Sequence, residues 1–135
     1  MIKEDYASYE VAKLLKEKGF NEQCSSTYDI AVSGGKPIFY KYDVLQFFPD
    51  GMKNSDDKYG MVISAPTHQM TMAWLREVHN INIDIVPIWN RNRWEYQIFI
   101  VTPATSQRPY VANTLYLDYE EAVEEALKYS LENLI

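Results

Sequence analysis

The sequence predicts an α+β fold, a mostly antiparallel sheet of about five strands with three helices packed on it. Three observations predict it. Residues 81–85 and 94–100 alternate apolar and polar side chains around an Asn-Arg-Asn turn, the pattern of a β-hairpin. Residues 8–18, 66–80 and 118–133 place apolar side chains at helical spacing between start and stop signals. The connections between strands are short and built from turn residues, so hairpins dominate. Residues 59–64, the following helix and residues 81–89 can also form one right-handed βαβ crossover.

The first helix is expected over residues 8–18. Ser8 suits the N-cap, and Val11, Leu14 and Leu15 form one apolar stripe. Gly19 then Phe20 reads as a Schellman stop, with Phe20 folding back onto Leu15. Residues 21–26 are polar linker. Residues 27–32 and 37–47 read as two strands joined by Ser33-Gly34-Gly35-Lys36. Tyr28, Ile30 and Val32 share one face, as do Ile38, Tyr40, Tyr42 and Val44. Residues 49–58 open on a Pro-Asp-Gly turn signal and form a polar loop. Residues 59–64 are a short apolar strand.

Pro66 and Thr67 start the middle helix, whose apolar face is Met70, Ala73, Trp74, Leu75 and Val78. Asn80 can adopt the left-handed conformation that ends a helix. Ile81, Ile83 and Ile85 then alternate with Asn82 and Asp84, and Pro87 marks this strand as an edge or a bulge. Residues 102–113 read as a surface loop whose end, with residues 114–117, forms a last short strand. The final helix, residues 118–133, opens on a capping-box pair, Asp118 and Glu121. It carries Tyr119, Ala122, Val123, Ala126, Leu127, Ser130 and Leu131 on one face and glutamates on the other.

The 135 residues are most simply one domain, residues 1–135, large enough to bury roughly two thirds of the unfolded surface. Hydrophobic residues at 47% and charged residues at 24% are a globular balance. Eleven tyrosines call for half-wet positions, on a partly exposed sheet face or a contact surface. The net charge of −6 disfavours bulk attraction to nucleic acid or anionic lipid. No apolar run approaches the roughly 20 residues of a membrane span. The one cysteine, Cys24, allows no internal disulfide, and with no apolar leader the expected location is cytoplasmic.

No catalytic, metal or cofactor signature is found. His68 and His79 lie eleven residues apart on one helix, roughly 16 Å along its axis, too far to share a metal. Cys24 has no base or positive neighbour in sequence and reads as an ordinary loop thiol. Asp50, Asn54, Ser55, Asp56 and Asp57 do not match an EF-hand loop, and Gly34-Gly35 lacks the rest of a phosphate cradle. The cluster that stands out is Trp89-Asn90-Arg91-Asn92-Arg93-Trp94-Glu95-Tyr96. Trp, Arg and Tyr are interface-enriched residues, so Trp89, Arg91, Arg93, Trp94 and Tyr96 are the candidate binding residues. The plainer reading packs the tryptophans on the sheet and leaves the arginines solvated. An alternative site, enzymatic or ligand-binding, would assemble around His68, Arg76 and Asp84. A third reading is weak nucleic-acid binding through the Arg/Trp hairpin.

Three segments carry a family likeness: SYEVAKLLKEKGF at 8–20, APTHQMTMAWLREVHNI at 65–81 and YEEAVEEALKYSLENLI at 119–135. Together they resemble a family of small uncharacterised proteins of phages, prophages and related mobile elements. That family shows a helix ending in KEKGF, a helix from PT to WLRE, and a terminal YEEAxExA helix in this order. The resemblance implies a phage or mobile-element context and no reaction, and it carries no catalytic residue onto this chain. Together with the tyrosine and tryptophan content, it predicts a small non-enzymatic module that binds a protein partner or self-associates.

Overall fold

The computed structural model describes residues 2–30, 36–41, 51–103 and 108–135. The chain divides into two compact units, Met1–Thr67 and His68–Ile135. Among the described residues there are three α-helices and six strands, which is the expected α+β class.

The first unit is built on α1, Tyr9–Glu17, whose sequence signals act locally. Ser8 is its N-cap, and the hydroxyl accepts a 3.2 Å hydrogen bond from the Val11 N–H. At the other end Gly19 takes φ +88°, and the Phe20 N–H reaches back to the Leu15 carbonyl at 2.9 Å. That is the Schellman closure, and it buries Phe20 to 1% exposure. Strands β1, Ser26–Asp29, β2, Ile38–Lys41, and β3, Val62–Ser64, form an antiparallel sheet in the order β2-β1-β3. The α1 side chains Val11, Ala12 and Leu15 are buried with Ile63 and Ala65, and α1 packs on β3. The expected Ser33-Gly34-Gly35 turn, the Pro49-Asp50 turn and residues 42–47 of the second strand lie outside the described residues.

The second unit holds α2, His68–His79, β4, Ile81–Ile88, β5, Arg93–Ile100, β6, Tyr110–Val111, and α3, Tyr119–Asn133. Its sheet is antiparallel in the order β4-β5-β6. The hairpin register pairs Ile81 with Ile100, Ile83 with Ile98, Ile85 with Tyr96 and Pro87 with Trp94. One face of the hairpin is therefore an unbroken apolar stripe, as the alternation predicts. Pro87 sits in the terminal strand of the order, where a missing N–H removes no ladder bond. Helix α3 packs on β5 and β4, and buries Ala122, Val123, Ala126, Leu127, Ser130 and Leu131.

Five expectations are corrected. The strands make two three-stranded sheets instead of one sheet of five. β1 uses both its edges on β2 and β3, and β5 uses both on β4 and β6. β3 and β4 lie in different sheets, so the βαβ crossover does not form among the described residues. The helices divide accordingly, α1 in the first unit and α2 with α3 in the second. The buried face of α2 is His68, Thr71, Trp74 and Leu75, whereas Met70 and Val78 are exposed. The last strand falls at Tyr110–Val111, with only a single bridge from Trp94 to Tyr116 further on. Asp118 caps α3 by backbone geometry without a side-chain hydrogen bond, so the expected capping box is not made.

Candidate functional site

Residues 89–92 turn the β4–β5 hairpin. Asn90 at φ 63° and Asn92 at φ 50° take the left-handed conformation, which asparagine tolerates better than most residues. The Arg91 N–H reaches the Ile88 carbonyl at 3.3 Å, and Arg93 Nη1 donates to the Asn92 carbonyl at 3.0 Å. This backbone holds the Trp89 side chain out in water, with 89% of its surface exposed. Arg91 is exposed beside it, and Arg93 is half-buried.

The other two candidate residues turn inward. Trp94 is half-buried, edge-on to Tyr119 at 5.3 Å, and its backbone exchanges two 2.8 Å hydrogen bonds with Tyr116. Tyr96 is 7% exposed. Of the two tryptophans, Trp94 packs and Trp89 does not.

Tyr96 forms the inner end of a tyrosine cluster. Its ring lies 6.2 Å from that of Tyr116, nearly parallel at 21°, and 6.4 Å from that of Tyr129. Tyr110 lies 5.8 Å from Tyr129. These four rings line an open cleft of about 310 Å³. Its charged side chains come from one face of α3: Glu125, Lys128 and Glu132. Burial pushes the Tyr96 phenol up from its ordinary range, with Tyr116, Tyr129 and Glu125 adding to the effect. Burial likewise raises Tyr116, helped by Glu125 and Glu121. Both phenols therefore stay neutral at physiological pH. Sequence reading found the tyrosines one at a time; their convergence depends on β5, β6, Tyr116 and α3 meeting in space.

The alternative constellation is not brought together. His68 is buried, and its Nε2 lies 3.0 Å from Glu124 Oε1, tying the first turn of α2 to α3. Arg76 is exposed near the end of α2. Asp84 is exposed on β4 and accepts a 3.0 Å hydrogen bond from Asn82. Among the described residues no hydrogen bond or ion pair links these three. His79 packs its ring against Trp74 at 4.7 Å, and its Nε2 is buried without a hydrogen-bond partner among the described residues.

In the first unit the polar loop residues serve the fold. Lys16 Nζ meets Asp57 Oδ2 at 2.6 Å and the Val62 carbonyl at 3.0 Å. Burial raises the Asp57 carboxyl, but Lys16 and the backbone N–H groups of Met61 and Val62 outweigh it and hold the carboxyl below its usual range. Asn54 is buried, donating to the Phe20 carbonyl at 2.8 Å and accepting from the Ser64 N–H at 2.9 Å. Cys24 is 3% exposed, in a backbone bridge to Met52. Burial pushes its thiol up to about 12, beyond the lowering effect of Ser64, with Glu22 adding to the rise. Cys24 is thus a buried thiol, too weakly acidic to be an activated nucleophile.

Among the described residues, no group of three His, Cys, Asp or Glu side chains is placed to hold a metal ion. No helix among them is long and apolar enough to cross a membrane. No known protein family, no curated protein and no solved structure matches the chain.

Proposed function

We propose that this protein is a small, non-enzymatic binding module of phage or prophage type that engages a protein partner, or a second copy of itself, through the β4–β5 hairpin tip. The observation that carries this reading is Trp89. A tryptophan offers on the order of 200 Å² of surface for burial, and here 89% of it faces water. An exposed tryptophan beside an exposed arginine at the turn of a paired hairpin has the composition of an interface hot spot. The net charge of −6 favours a protein partner over nucleic acid. A cytoplasmic setting fits a lone buried thiol that needs no disulfide partner.

The test is Trp89→Ala, alone and with Arg91→Ala. Sedimentation reads self-association, and capture of a partner by wild type against variant reads hetero-association. Trp89 has almost no folded-state burial to lose, so thermal stability should stay within about 0.5 kcal/mol of wild type. Association should weaken by at least about thirtyfold, the threshold for a hot spot being about 2 kcal/mol. Unchanged association in both measurements would remove the hairpin tip as the interface.

A further inference from the structure

We infer that the tyrosine-lined cleft of the second unit is a receptor for an organic ammonium group. Three properties of the cleft select this guest. Its volume, about 310 Å³, is at the small end of ligand pockets and matches one amine-bearing side chain or a short amine. Four of its lining residues are tyrosines, Tyr96, Tyr110, Tyr116 and Tyr129, whose rings cluster at 5.8 to 6.4 Å. An aromatic face is the negative end of a quadrupole and attracts a cation within about 6 Å. Its charged residues are two carboxylates, Glu125 and Glu132, against the single ammonium of Lys128. The carboxylate excess opposes a phosphate or carboxylate guest, which would be repelled by both glutamates and by the ring faces.

The phenols sharpen the choice. The phenol oxygens of Tyr96 and Tyr116 carry lone pairs that can accept from an N–H donor. A metal ion is a poor fit, because a hard cation needs several oxygen ligands at short range and keeps its water. An alkylammonium is weakly hydrated by comparison and can pass its charge to ring faces. The same chemistry is offered by a lysine side chain on a peptide and by a free polyamine. The site is independent of the hairpin tip, so Trp89→Ala is its internal control.

The experiment is a titration of the isotopically labelled full chain, followed by backbone amide shifts. The probes are tetramethylammonium, spermidine and a lysine-containing peptide, with neopentyl alcohol and glucose as neutral comparators. Amides around residues 96, 110–111, 116 and 125–133 should shift and saturate with each cation. The dissociation constant for tetramethylammonium should be about tenfold below that of neopentyl alcohol, which has nearly the same shape. Glu125→Gln with Glu132→Gln, both at exposed positions, should weaken cation binding about fivefold and leave the neutral comparators unchanged. Tyr110→Leu should weaken it as well, while Trp89→Ala should not. Tighter binding of spermidine or of the peptide identifies the source of the amine. Equal binding of cation and neutral isostere, preference for glucose, unchanged affinity in the double glutamine variant, or no shifts at tens of millimolar would each overturn the inference.

Discussion

Replacing Asn54 with Ala should unfasten the first unit from the inside. Asn54 is 8% exposed and holds two chain segments at once. Its Nδ2 satisfies the carbonyl of Phe20, just past the end of α1, and its Oδ1 satisfies the N–H of Ser64, the last residue of β3. Phe20 and Ser64 are themselves 1% and 2% exposed, so water does not reach these backbone groups freely. The Ala variant leaves one buried acceptor and one buried donor unpaired. At roughly 1–3 kcal/mol for each orphaned group, the loss should be about 3 kcal/mol. That is a large part of the roughly 5–15 kcal/mol that holds a typical domain folded. The assay is urea denaturation followed by far-ultraviolet circular dichroism, with hydrogen exchange at the Ser64 amide. Ser55→Ala, one residue on and exposed, is the control and should change stability by less than about 0.5 kcal/mol. A loss below about 1 kcal/mol in Asn54→Ala, with Ser64 protection unchanged, would refute the claim that this side chain bridges the two segments.

Three further outcomes are expected. Asp57 titrates below its unfolded value, so its contribution is complete above that value and is lost as pH falls through the lowered folded one. Lys16→Met should cost about 2 kcal/mol at neutral pH and flatten this acid limb in pH-dependent melting. The Cys24 thiol, pushed up to about 12 and 3% exposed, should react with a disulfide reagent at pH 8 only as fast as the first unit opens. Fast labelling of the native chain would contradict its burial. Gly51 has φ +85°, and a Cβ there would clash with the Cys24 backbone carbonyl. Gly51→Ala should therefore cost more than about 1 kcal/mol in denaturant unfolding, since both the conformation and the contact oppose it.

Sequence reading succeeds where the determinant is local. Ser8, Gly19 and Phe20 define α1 because a cap and a Schellman stop need only neighbours within six residues. The β4–β5 register is legible because four alternating pairs and two left-handed asparagines agree on it. Reading fails where the partner is remote. β1 closes on β3 across more than thirty residues, and nothing in either strand states that pairing. The rotation of α2 follows from where β4 and α3 lie, so Thr71 and His68 are buried ahead of the more apolar Met70 and Val78. Of the candidate surface, Trp89 and Arg91 were recognisable from residue type and turn position alone. The role of Tyr96 was not, because its cleft is assembled from residues up to thirty-seven positions apart.

All three tryptophans fall in the second unit, in three different settings. Trp74 is 7% exposed against His79, Trp94 is half-buried against Tyr119, and Trp89 is open to water. Every tryptophan emitter therefore belongs to the second unit, and the emission is graded within it. A soluble quencher should extinguish the Trp89 component first, and the residual emission should report the packing around α2 and β5. The second unit thus carries its own graded reporter, with the exposed component on the hairpin tip.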